Sequence, residues 1–288
     1  MLSFTLEFNR FCLELGHKTC IMGILNTTPD SFSDGGKFNT FETAIAQGIK
    51  LVKDGAHILD IGGESSRPFS KSVSEQEELD RVIPVIETLS RQIDIPISID
   101  TVKSGVAKAA LDAGASMIND ITAFEKDPAL ADLAAQRNVP VVLMHMRGTP
   151  ETMQVNPDYE DLMFEITGYL ESRAEYARKK GIKKNHIILD PGIGFGKTIE
   201  HNLVLINHLE NIAALGYPVL LGPSRKSFIQ NILSKKENTQ IGADHIKTEY
   251  GSLAAVAASI LNGAHIVRVH DIERLKSFTH IIDSIRNA

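Results

Sequence analysis

The chain has 288 residues, of which 43% are hydrophobic and 23% charged, and its formal net charge is −6. That composition excludes a disordered or fibrous chain, and the acidic balance disfavours a generic nucleic-acid binder. Two cysteines, Cys12 and Cys20, supply no disulfide framework, the N-terminus lacks the unbroken apolar core of a signal peptide, and the longest apolar stretch, 253–261, is far short of a ~20-residue membrane span, so a soluble, cytoplasmic protein is expected.

Taken in order, the chain opens with Phe4, Leu6 and Phe8, then Phe11, Leu13 and Leu15, on either side of Asn9-Arg10. This alternation predicts a β-hairpin over residues 1–18, placed to plug the bottom of a barrel. A repeated unit follows. Apolar, β-branched runs occupy 19–25, 56–62, 96–100, 115–121, 140–146, 186–190, 218–222 and 265–269. Near-continuous runs of this kind belong to strands buried on both faces, as parallel strands are. Helical patterns fill the gaps. They are 40–54 behind a Thr cap, 74–91 with the capping-box pattern Ser-Glu-Gln-Glu, 103–113, 128–137 starting on Pro, and 159–180; 200–215, the pair 226–234 and 245–262, and 271–286 complete the set. Eight such units without a composition break predict a single α/β domain over 1–288, a (β/α)8 TIM barrel, with a doubly wound open sheet as the rival.

In a barrel of this type the active site lies at the C-terminal strand ends, and here every strand delivers polar groups to that rim. Asp100, Asn119 and Asp190 sit in or just after apolar strands, where a lone carboxylate is unfavourable unless partnered. Asp120 and Asp271 read equally well as helix caps. Arg67, Lys226, Arg268 and His270, beside Asn26, suit a phosphorylated ligand, and the acceptors suit a flat heterocycle with several N–H groups. Two tempting motifs fail. The glycines of 192–196 put the third Gly one residue early for a dinucleotide fingerprint, and Gly196-Lys197-Thr198 cannot end a P-loop because position 191 is Pro. No close His/Cys cluster marks a zinc site.

The stretches MGILNTTPDSFSDGG (22–36), DIGGESSRP (60–68), SIDT (98–101), INDI (118–121), DPGIGFGK (190–197), GPSRKS (222–227) and IVRVHD (266–271) together resemble the dihydropteroate synthase family. The resemblance implies a (β/α)8 barrel, usually a homodimer, that condenses 6-hydroxymethyl-7,8-dihydropterin diphosphate with p-aminobenzoate. It implies that Asp100, Asn119, Asp190 and Lys226 hold the pterin, with Met144, Gly194 and Phe195 flanking it. Asn26, Arg67, Arg268 and His270 would bind the diphosphate, with Asn26 also a Mg²⁺ ligand. Phe32, Ser66, Arg67, Pro68, Ser224 and Lys226 would surround the aminobenzoate. Asp100, Asp190, Lys226 and Arg268 would carry the chemistry. Ser66 and Phe69 replace a Thr and a Gly common in the family, which bears on aminobenzoate and sulfonamide affinity rather than on the reaction. Two other readings share part of this set: a pterin-binding methyltransferase acting on methyltetrahydrofolate, and a non-catalytic pterin- or phosphate-binding barrel.

Overall fold

The computed structural model describes residues 1–28, 37–66, 70–155 and 157–288, and for 37–40 the backbone alone. All eight expected strands form. After the hairpin of β1 (Phe4–Phe8) and β2 (Phe11–Leu15) come β3 (Cys20–Asn26), β4 (Ile58–Gly62), β5 (Ile97–Asp100), β6 (Met117–Asp120), β7 (Val141–Met144), β8 (Ile187–Asp190), β9 (Leu220–Leu221) and β10 (Ile266–Val269). β3 to β10 make one parallel sheet in the order β8-β7-β6-β5-β4-β3-β10-β9. Its two edges meet through a parallel bridge between Leu189 and Val219, and Leu189 N–H donates to Pro218 O at 2.9 Å. The sheet therefore closes into the predicted barrel, with a short seam at β9.

The helices are α1 (Lys37–Asp54), α2 (Glu75–Ser90), α3 (Ser104–Asp112), α4 (Ala129–Arg137), α5 (Leu162–Lys179), α6 (Ile199–Asn207), α7 (Glu210–Ala213), α8 (Ser227–Glu237), α9 (Ile246–Leu261) and α10 (Ile272–Arg286). Ser74 caps α2 as expected, accepting from Glu77 N–H at 3.2 Å, while the Glu77 carboxylate pairs with Arg81. Two expectations are corrected. α1 begins at Lys37, so Thr40 lies inside the helix rather than capping it. The span 200–215 is broken into α6 and α7, because His208 leaves helical geometry at φ −115° and ψ 30°. Among the described residues no helix is long and apolar enough to cross a membrane.

The barrel interior is built in layers. Met22, Ile58, Met117, Val142, Ile188, Leu220 and Ile266 form a buried cluster with Leu6, Phe8 and Leu15 of the hairpin. Leu6 is fully buried, and the hairpin's outward residues Thr5, Glu7, Cys12 and Glu14 are exposed. So the alternation read from the sequence does place a plug under the barrel. The residues between, such as Ile21, Leu59, Ile118, Val141, Leu143 and Leu189, face outward into the larger cluster shared with the helices.

Candidate active site

A strand turns every second side chain to the same face. Two residues beyond the apolar inner layer, the same strands therefore present Asp60, Asn119, Met144, Asp190, Gly222 and Arg268 to the interior. Strand register adds Asp100, which pairs with Gly62 on one side and Asn119 on the other, while Gly62 pairs with Asn26. Asp100, Asn119, Met144, Asp190, Gly222 and Arg268 line a narrow cavity with Ser66, Ile121, Ile193, Phe195 and Lys226. The sequence-predicted pterin set is thus brought together, and Gly194 lies directly beneath Lys226 in the adjoining loop.

Arg268 organises one wall. Its Nε donates to Asp60 Oδ2 at 2.6 Å and its Nη2 to Asp100 Oδ2 at 2.7 Å. Asn119 Nδ2 also donates to Asp60 Oδ2, at 3.0 Å. Asp60 is completely buried, and its Oδ1 has no partner among the described residues. Burial pushes the Asp100 carboxyl up to about 7; the Arg268 charge opposes this and the neighbouring acids Asp60, Glu78 and Asp120 add to it. Asp60 was not singled out from the sequence. The signal was present: it is the one charged residue in the run Ile58–Gly62, two positions above an inward isoleucine. Arg268, expected at a diphosphate, has its Nε and Nη2 committed to Asp60 and Asp100.

The opposite wall is Asp190 and the loop after it. Asp190 Oδ1 accepts from Gly192 N–H at 2.7 Å, so the residue serves both as turn acceptor and as cavity lining. Burial pushes it up to about 6, against the Gly192 N–H and the charges of Lys226, Lys197 and Arg268. The loop must approach β7 closely. Gly192 and Gly196 have φ of +71° and +67°, and a Cβ on either would lie 2.0 Å from His145 O or 2.5 Å from Arg147 O. Only glycine fits there, which is the physical reason for the glycine run that mimics a dinucleotide fingerprint. Gly194 is tied by its N–H to Asn202 Oδ1 and by its carbonyl to Gln154 Nε2, both at 2.7 Å. The loop delivers Phe195, which packs with Met144 and Met153. Lys226, at the start of α8, holds its Nζ 4.0 Å from the centre of the Phe195 ring.

Behind this loop lies a pair the sequence reading passed over. Lys197 is 2% exposed. Its Nζ donates to Phe195 O and to His145 Nδ1, both at 2.9 Å, and reaches His145 O at 3.4 Å. Burial pushes the ammonium down to about 7, with Asp190 resisting and Lys226 assisting. Burial and the adjacent Lys197 push the His145 imidazole down to about 3.

At the rim, Ser224 Oγ and His270 Nδ1 lie 3.0 Å apart, so an expected aminobenzoate residue and an expected diphosphate residue form one pair. Asn26 ends β3, half-buried at the same rim. Ser66 lines both the narrow cavity and a wider one of about 440 Å³ that shares Asp100 and Ile121 with it. Asp120 and Asp271 are structural. Asp120 accepts from Thr122 N–H, Thr122 Oγ1 and Phe124 N–H, and Asp271 caps α10. Phe32, Arg67, Pro68 and Phe69 lie outside the described residues, as do most of the first loop and the centre of the second.

The family model "Pterin binding enzyme" matches residues 22–270. A Synechocystis sp. dihydropteroate synthase is 48% identical over 270 residues, covering 94% of this chain and 91% of that relative. A Xanthomonas albilineans dihydropteroate synthase solved with 4-aminobenzoic acid superposes with a TM-score of 0.91 at 40% identity, covering 100% of both chains. A structure of the enzyme from the same organism in complex with 7,8-dihydropteroate gives 0.87 at 38% identity, covering 99% of both.

Proposed function

The chain belongs to the pterin-binding enzyme family, among its dihydropteroate synthases, and we propose the following reading of its site. It is a transferase that joins 6-hydroxymethyl-7,8-dihydropterin diphosphate to p-aminobenzoate, giving 7,8-dihydropteroate and pyrophosphate. The observation that carries this reading is the narrow cavity walled by Asp190 on one side and the Asp60–Asn119–Arg268–Asp100 network on the other. A pterin's 2-amino group and adjacent ring N–H form a two-donor edge that the Asp190 carboxylate accepts side by side. Asp100 and Asn119 meet the far side of the ring, which lies against Met144 and the Lys226–Phe195 stack.

An aromatic amine has a free lone pair at neutral pH, so the slow event is cleavage of the methylene C–O bond. Its electron pair departs with the diphosphate, and the amine then attacks the methylene, forming the C–N bond and releasing a proton. Arg67, Arg268 and His270 receive the growing negative charge. The residual positive charge on the pterin methylene spreads into the ring, facing ionised Asp190 and the Asp60–Asp100 pair. Ser224, Ser66, Phe32, Pro68, Arg67 and Lys226 surround the aminobenzoate.

A Mg²⁺ ion is part of this reading. Among the described residues no cluster of His, Cys, Asp or Glu could hold a metal, but Mg²⁺ is commonly held by one or two protein oxygens, phosphates and water. The Asn26 amide oxygen fits that role, and the ion would neutralise charge on the departing diphosphate. A homodimer is also proposed, supported by Leu203, Val204, Ile246, Tyr250 and Leu261, which expose apolar surface on α6 and α9; light scattering tests it. The cellular site is cytoplasmic, in keeping with cysteines that no disulfide joins. Pyrophosphate release from the pterin diphosphate, measured with and without p-aminobenzoate, tests the reaction. Release that depends on both substrates supports it, and a protein that binds pterin without turnover overturns it.

A further inference from the structure

Among the described residues, Lys197 is a lysine with no carboxylate in contact. All its acceptors are neutral: two carbonyls and an imidazole nitrogen. Burying a lysine so completely is unfavourable, and a methionine would fill the same space without that penalty. The two carbonyls belong to segments that flank the pterin cavity. His145 follows Met144 at the end of β7, and its N–H bonds to Asp190 O at 2.9 Å. Phe195 belongs to the glycine loop and carries the ring beneath Lys226. His145 is itself fixed, edge-on to Tyr169 at 4.9 Å and near Tyr159 at 6.1 Å, and Tyr159 OH donates to Gly196 O at 2.8 Å. The ammonium is thus the clasp between β7 and the loop, and the carboxylate whose charge acts on it is Asp190.

We propose that Lys197, oriented by His145, is a positioning residue for pterin recognition: it clasps Met144 and Phe195 in place, and its charge favours the ionised, acceptor form of Asp190. The proposal rests on the pterin reading of the cavity. Neither residue lines that cavity, so neither touches the ligand.

The charge effect has a definite direction. The groups facing Asp190 are the Gly192 N–H and the cations Lys226, Lys197 and Arg268. Those acting on Lys197 and His145 are Asp190, Lys226 and Arg147. With Asp190 at about 6 and Lys197 at about 7, both are ionised together in a narrow window near neutrality. Above it Lys197 is neutral in any case, so its charge ceases to matter. The clasp by hydrogen bonds does not share that pH dependence.

The test is calorimetry of a pterin lacking the diphosphate, across pH, on the wild type and three variants, with steady-state kinetics and melting temperatures beside it. Lys197→Met should move the acid limb of pterin binding upward by roughly one pH unit, weakening binding about tenfold near pH 5, about fivefold near pH 6 and by less near pH 9. KM for the pterin substrate should rise more than kcat falls. His145→Asn keeps an acceptor in the place of Nδ1 and should behave as wild type, whereas His145→Leu should repeat part of the Lys197→Met shift. If Lys197→Met fails to fold, His145→Leu carries the test alone. Wild-type pterin affinity and an unmoved acid limb in the folded variants overturn the proposal, as does a pH-independent loss that merely tracks melting temperature. A wild-type protein that binds no pterin overturns the functional reading and this proposal with it, whereas wild-type binding with indifferent variants overturns the proposal alone.

Discussion

Two layers share the inside of this barrel, two residues apart on the same strands, and they are built on opposite terms. The lower is wholly apolar, with Met22, Ile58, Met117, Val142, Ile188, Leu220 and Ile266 sealed by the hairpin. The upper exchanges most of these for Asp60, Asn119, Asp190 and Arg268, each buried or nearly so. Every charge in the upper layer must be matched by a partner or by a shifted proton. The lower layer can therefore hold the barrel without selecting a ligand, while on the proposed reading the upper selects a ligand at a cost in stability. Substitutions in the two layers should separate these contributions.

The largest expected effect is at Arg268. Its replacement leaves Asp60 and Asp100 without their shared cation, and breaking a buried pair on one side typically costs about 3–5 kcal/mol. Arg268→Met should lower kcat/KM on the order of 10³-fold and lower the melting temperature. It should weaken a pterin without diphosphate as well as the full substrate, because the arginine organises the heterocycle wall. Lys cannot reproduce the two-acid fork and should not rescue. Binding measurements with both ligands check this. A loss confined to the diphosphate-bearing ligand would show that Arg268 serves the anion alone and that the wall stands without it.

Next comes Asp190, where function and stability should move in opposite directions. Its folded pKa of about 6 lies above the 3.8 of an ordinary aspartate. Between these values the native state holds the proton more tightly than the unfolded chain. Its contribution to stability is thus fully present below the ordinary value and is lost as pH rises through about 6. Asp190→Asn keeps an acceptor for Gly192 N–H and removes the buried charge. It should melt higher than wild type at about pH 8, by up to roughly 2–3 kcal/mol, with the gap closing towards pH 4. Its kcat/KM for the pterin substrate should fall on the order of 10²-fold, about 3 kcal/mol. Asp190→Ala also strands the Gly192 N–H and should be less stable than Asn by about 1–3 kcal/mol. Melting curves across pH beside pterin kinetics check both; a destabilised Asn variant with normal kinetics would make Asp190 a turn residue only.

The lower layer supplies the control. Leu6→Ala should lower stability by about 2–5 kcal/mol through the cavity it leaves, with pterin affinity of the folded protein unchanged. Chemical denaturation beside calorimetry checks it. The plug and all eight strands were legible in the sequence because period-2 alternation and buried apolar runs are local signals. The acceptor set was legible for the same reason, since Asp100, Asn119 and Asp190 interrupt apolar runs. Asp60 interrupts one too, but its importance depends on inward facing, which only the layer below it fixes. Lys197 and His145 were missed because their meeting is long-range. Lys197 follows a glycine run, where it is read first as a phosphate ligand; in the folded chain it turns inward to β7. The break after α6 was hidden because 200–215 keeps helical periodicity across His208.

The smallest effect separates the two sides of the rim. Ser224 was expected around the aminobenzoate and His270 at the diphosphate, yet they hydrogen-bond to each other at 3.0 Å. His270 N–H also points to Ser224 Oγ, at 3.4 Å, so the hydroxyl sits in a cradle made by one residue. One bond of this kind is worth about 0.5–1.5 kcal/mol. Ser224→Ala should thus change KM by roughly three- to tenfold for whichever substrate the hydroxyl serves. If Ser224 meets the carboxylate directly, KM for p-aminobenzoate rises, and the dissociation constant of pyrophosphate stays put. If its task is to orient His270, the pattern reverses, and His270→Ala on the Ser224→Ala background adds less than it does alone, since coupled residues are not additive. Both KM values and the double-mutant cycle decide it. The structure favours the second pattern, because the hydroxyl is held by His270 at both its ring and its backbone N–H. Equal, additive effects on both substrates would break the distinction between an anion side and an aminobenzoate side at this corner of the rim.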